Sequence, residues 1–137
     1  MKMSLYRISR NGILQEEIDL LYDLLRERTE EQSISHKEMP SKQDHKKFVL
    51  SDPYKSWMWV DVDEELVGSC YLTHQHEIGI HIFKEYQGNG YGKEAVKMLM
   101  KEYPGRHLAN INPNNPRSIR MFEDLGFKHI QNTYAHS

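Results

Sequence analysis

The segment IHIFKEYQGNGYGKEAV, residues 80–96, decides the fold. Its first part belongs to an alternation of Ile78, Ile80 and Ile82 against Gly79, His81 and Phe83, which is strand spacing over residues 77–83. After the glycines, Ala95, Val96, Leu99, Met100 and Tyr103 keep the 3.6-residue period of a helix that Pro104-Gly105 ends. Gly88, Gly90 and Gly92 therefore lie between a strand and a helix. Glycines there bare the backbone N–H groups, and the helix start adds the positive end of its dipole, so the junction is an anion cradle. Two nucleotide-binding patterns fail on single letters. A dinucleotide fingerprint needs a third glycine at 93, where Lys93 stands. A P-loop ending at Gly92-Lys93 needs Gly at 87 and a hydroxyl at 94, and the chain has Gln87 and Glu94.

Working outward, residues 5–8 read as a short strand closed by Asn11-Gly12. Ile18, Leu21, Tyr22 and Leu25 give a helix from Glu16 to about Glu31. Gln32 to Pro40 reads as a loop. Ser41 opens a second helix with Asp44 three residues on, and Asp52-Pro53 stops it. Ser56–Asp61 and Leu66–Thr73 are strands around the Asp63–Glu65 turn. Residues 107–112 read as a further strand, Pro116 opens a last helix that Gly126 ends, and 127–134 read as a final strand. The order is β-α-α-β-β-β-α-β-α-β, in which consecutive strands suggest antiparallel hairpins and the later βαβ portion a mixed pairing.

The chain has 137 residues, the size of one domain, 1–137. It carries 18 basic and 20 acidic residues, a net charge of −2, and this balance argues against a nucleic-acid-binding protein. No apolar run reaches the ~20 residues of a membrane span, and the N-terminus has no apolar signal core. One cysteine excludes an internal disulfide framework and a cysteine-based zinc cluster. A soluble cytoplasmic protein is expected. Cys70 lies mid-strand and reads as a buried core thiol. His74 and His76 share a strand face but lack a third ligand, so no metal is expected.

The remaining pattern, Gln87-x-x-Gly90-x-Gly92, resembles the acyl-CoA signature of the GNAT superfamily of N-acyltransferases, and Asn115-Pro-Arg-Ser118-Ile-Arg-Met-Phe122-Glu-Asp-Leu125-Gly126-Phe127 is similar to that family's second signature. The two follow in the family's order over residues 77–127. The resemblance implies an α/β (α+β) fold: a mixed, mostly antiparallel central sheet of six to seven strands, about four flanking helices and a splayed fourth strand. It implies acetyl-CoA as cosubstrate. The pyrophosphate would lie on Gly88, Asn89, Gly90, Tyr91, Gly92 and Lys93, after Gln87. The pantetheine arm would lie along Ile80, His81 and Ile82, beside Asn115 and Phe122. A backbone N–H, that of Ile82 first, would polarise the thioester carbonyl.

The sequence departs from the family at two positions. The frequent acid, a tyrosine of the second signature, is Phe122 here, and a base used by some members, a Glu five residues before the signature Asn, is Asn110. Tyr134 is the expected replacement acid. Glu77 is the first candidate base and His81 the second, since imidazole titrates near neutrality. The acceptor would approach over the first two helices, past His36 and His45. It is expected to be a small-molecule primary amine, with a nucleotide-linked amino sugar as one possibility from a looser likeness. A protein or peptide amine, or an acyl-CoA-binding regulatory module without turnover, are the alternatives. A monomer or homodimer fits the length.

Overall fold

A computed structural model describes residues 1–8, 13–27 and 39–136. Four strands form one antiparallel sheet in sequence order: β1 (Met3–Arg7), β2 (Ser56–Val62), β3 (Glu65–Leu72) and β4 (Ile78–Ile82). Helices α1 (Gln15–Arg26) and α2 (Lys42–Leu50) connect β1 to β2. A 3-10 turn (Lys84–Tyr86), α3 (Tyr91–Glu102) and α4 (Pro116–Asp124) follow β4. No helix among the described residues is long and apolar enough to cross a membrane.

The two-residue period of the strands, with a register shift of β2 against β3 between Val60 and Asp61 that skips Val67, sorts the core into two layers. Met58, Val60, Val62, Val67, Cys70 and Leu72 pack with Ala95, Val96 and Leu99 of α3 and Phe122 of α4. On the opposite face Trp59 packs with Ile18 and Leu21 of α1 and Val49 of α2. Local signals act as read: the Ser41 hydroxyl caps α2 by accepting from the Asp44 N–H at 3.0 Å, Pro116 opens α4, and Gly126 follows α4 at φ +94°.

Three expectations are corrected. The first helix ends at Arg26 rather than about Glu31, with residues 28–38 outside those described. The expected strand at 107–112 is reduced to a single parallel bridge between Glu77 and Leu108. The final strand at 127–134 does not form, and residues 127–136 have no regular structure. In that tail neither alternate set of side chains is apolar, and Ile130 stays exposed; a strand with no face to bury has nothing to hold it on a sheet. Among the described residues the sheet thus has four strands, not six to seven.

The single bridge has a consequence for the site. The Ile78 N–H donates to the Leu108 carbonyl at 2.8 Å and the Leu108 N–H to the His76 carbonyl at 2.9 Å. No further pairing of these two segments is present among the described residues, so they part after Ile78.

Candidate active site

Where they part, a cleft of about 480 Å³ opens along β4 and runs to the start of α3. Strand parity dictates what β4 shows it. The Thr73 N–H donates to the Glu77 carbonyl and the Phe83 N–H to the Val67 carbonyl, both at 2.9 Å. The odd-numbered residues of β4 therefore bond to β3. The even-numbered ones face the other way, as Ile78 does in bonding to Leu108. Past the bridge this leaves the N–H groups of Ile80 and Ile82 and the carbonyl of Ile80 along the cleft. An extended amide-bearing chain can pair with such an edge as an added strand.

The Ile82 carbonyl is already engaged: the Gln87 amide donates to it at 2.9 Å, and Arg117 donates to the Gln87 Oε1 at 3.1 Å. Gln87 thus ties the end of β4 to α4 and fixes the glycine turn between them. The turn is anchored further. The Asn89 amide donates to the Tyr86 carbonyl at 3.0 Å, and the Lys84 N–H donates to Glu27 of the α1 C-cap at 2.8 Å. Gly88 and Gly90 hold φ of +87° and +78°, the left-handed region that side chains disfavour. A Cβ on Gly90 would meet no protein atom within 4 Å, so the space beside this exposed cleft residue is open. Helix geometry leaves the N–H groups of Tyr91, Gly92 and Lys93 without intrahelical acceptors. Lys93, Arg117 and Arg120 bring positive charge to this end. The donor set fits a diphosphate. Sequence reasoning gave Arg117 and Arg120 no role; their spacing to the glycines, across an intervening helix and loop, carries no local signal.

Glu77 lies at the other end. Its carboxylate accepts from the Asn110 amide at 2.6 Å and from the Thr73 hydroxyl at 3.2 Å, while its own N–H donates to that hydroxyl at 2.9 Å. A carboxylate therefore stands within hydrogen-bond reach of residue 110, supplied from the approach to β4.

His81 points to the other sheet face, beside its cross-strand partner Ser69. It borders both the cleft and a second cavity of about 190 Å³ under α1 and α2. His45 lines that second cavity. It is buried, its Nε2 lies 3.3 Å from the Ile18 carbonyl, and burial lowers its pKa. His36 lies outside the described residues.

Asn115 and Phe122 border the cleft. The Asn115 side chain also caps α4 by accepting from the Ser118 N–H at 3.2 Å. Phe122 is buried edge-on to Phe127, 5.0 Å between centroids, which accounts for a ring without a hydroxyl. Tyr134 is not brought to the cleft: it is 89% exposed on the unpaired tail. Cys70 is buried, and burial pushes its thiol up to about 12. Among the described residues no group of three or more His, Cys, Asp or Glu is arranged to hold a metal; His76 instead packs on His107 and approaches Lys55 Nζ at 3.1 Å.

The sequence profile of the acetyltransferase (GNAT) family matches residues 18–127. The chain belongs to this family. Among solved structures, a domain from Methanocaldococcus jannaschii superposes with a TM-score of 0.79 at 23% identity, over 96% of this chain and 92% of that one. The yncA protein of Salmonella typhimurium, solved with its cofactor acetyl-CoA, gives 0.66 at 14% identity, over 93% and 80%. These likenesses establish the GNAT fold. The peptidyl-lysine N-acetyltransferase YjaB of Salmonella typhimurium is 31% identical over 72 residues, 53% of this chain, and the match spans about half (49%) of that protein. The GNAT cosubstrate, acetyl-CoA, has an anionic end and an amide-bearing arm, the chemistry that the glycine turn and the β4 edge described above can each accept.

Proposed function

We propose that this single-domain chain transfers an acetyl group from acetyl-CoA to the primary amine of a small molecule. The observation that carries the reading is the continuity of one cleft: an amide cradle at residues 88–93, an unpaired strand edge at Ile80 and Ile82, and a tethered carboxylate at Glu77. The cosubstrate supplies an activated acyl carbon. Backbone amides of residues 88–93, with Lys93 and Arg117, hold its diphosphate. The β4 edge aligns its arm, and the Ile82 N–H donates to the thioester oxygen, where negative charge grows as nitrogen attacks. Glu77 accepts a proton from the incoming ammonium, and Asn110 and Thr73 keep its carboxylate aimed. The C–S bond breaks as the amide forms, and the nitrogen's second proton, like the one held by Glu77, passes to solvent. A thiolate of pKa near 8.5 takes its proton from solvent, so no tyrosine acid is required. His81, at the junction of the two cavities, orients the entering amine.

A second reading, acetylation of a peptide lysine, has the 31% identity to YjaB in its favour. The deciding experiment measures coenzyme A release from acetyl-CoA against small amines and a lysine peptide, together with acetyl-CoA binding by calorimetry. Release with small amines, and loss of binding in Gly90→Val, is the expected result. Binding without release for any amine would favour a regulatory acyl-CoA-binding module; absence of binding would end the proposal.

A further inference from the structure

We propose that the second cavity receives the carbon substituent of the acceptor, and that the acceptor is a monoamine bearing one ring-sized apolar group, an arylalkylamine in chemical class. This rests on acetyl transfer in the adjoining cleft. Leu24, Tyr71 and His81 border both spaces, so a ligand passing that shared wall has its nitrogen beside β4 and its substituent under α1 and α2.

The walls define the substituent. Tyr54 and Trp57 meet edge-on at 4.9 Å and 85°, Phe48 and Trp57 at 6.1 Å and 70°, and Tyr54 stacks on Tyr71 at 4.0 Å. All four rings border the cavity. Rings at such angles offer both edges and faces to an aromatic guest. Among the described residues the lining includes no Lys or Arg, and its formal negative charge is Asp44, on an exposed residue. The buried His45 is biased to its neutral form. The diphosphate of a nucleotide-linked sugar would therefore lie there without counter-charge, at a large desolvation cost. A second ammonium group would find ring faces turned towards one another and one carboxylate at the rim. Size agrees: an apolar cavity of about 150 Å³ accepts a benzene ring, and this one, about 190 Å³, has room for a ring and a short linker.

The test compares kcat/KM for 2-phenylethylamine, ethylamine, 1,4-diaminobutane, a nucleotide-linked amino sugar and a lysine peptide. The expected result is a preference for 2-phenylethylamine over each of the others of about tenfold or more, in line with the burial of one ring. In Leu25→Phe, which fills the cavity, and in Phe48→Ala, which opens a wall that is 45% exposed, the ratio to ethylamine falls towards one while acetyl-CoA affinity stays within about twofold. Equal rates for ring and ethyl amines, or preference for the diamine, sugar or peptide, overturns the proposal and leaves acetyl transfer standing. If no amine turns over, the indole N–H resonance of Trp57 is followed in the acetyl-CoA complex during titration with 2-phenylethylamine. A saturable shift lost in Leu25→Phe supports the assignment; no shift overturns it.

Discussion

At the scale of single residues, the proposed base Glu77 draws its partners from two parts of the chain, Thr73 four residues before it and Asn110 33 residues after it. Thr73 and Asn110 each give Glu77 a hydrogen bond, which fixes where its carboxylate points. Glu77→Gln is expected to lower kcat by ~10²-fold, with acetyl-CoA affinity kept. Asn110→Ala removes one of the two tethers on the Glu77 carboxylate and is expected to lower kcat while KM for acetyl-CoA stays within about twofold; an unchanged kcat would show that the contact is merely structural. The sequence disclosed Glu77 as a strand-start carboxylate and Asn110 as a missing base. It could not disclose that they touch, because 33 residues separate them and no local periodicity spans that distance. Tyr134 failed as a candidate for the complementary reason: its placement needed a strand that its own neighbours cannot hold.

At the scale of elements, the glycine turn and β4 were legible because strand and helix periods change sharply at residues 83–91. The parting of β4 from residues 108–112 was not, since both segments carry strand-like letters and pairing between segments so far apart leaves no local period. Two glycines on adjacent strands separate a stability role from a positional one. A Cβ on Gly68 would fall 2.1 Å from the His81 carbonyl oxygen, which is backbone. A Cβ on Gly79 would fall 2.0–2.5 Å from the outer ring atoms of Tyr71, and that ring can swing aside. Gly68→Ala is expected to cost about 2–3 kcal/mol, seen as a lowered urea midpoint. Gly79→Ala is expected to cost less stability, yet to lower kcat/KM for the amine, because the displaced Tyr71 leaves its stack on Tyr54 and intrudes on the shared wall.

At the scale of the whole molecule, the sheet divides the protein into a side packed under α3 and α4 and an opposite side packed under α1 and α2. Composition and length pointed to one domain. The second cavity was hidden, since Phe48, Tyr54, Trp57 and Tyr71 come from a helix, a loop and two strands. His45 gives that side a pH signature. An unfolded histidine titrates near 6.5, and burial lowers the folded value. Below about 6.5 the unfolded chain therefore takes up a proton that the folded chain refuses, and stability falls as pH falls. The urea midpoint of the wild type is expected to drop between pH 7.5 and 5.5 by more than that of His45→Gln. Equal drops would show that His45 is not the source.

The buried Cys70 has a practical corollary. A sulfur whose proton is retained to about pH 12 offers almost no nucleophile at neutral pH. Aromatic disulfide dyes and haloacetamides will thus register liberated coenzyme A over a silent protein background. The same labels become a clock for global opening, since Cys70 reacts only when the sandwich of β3 between its neighbours comes apart.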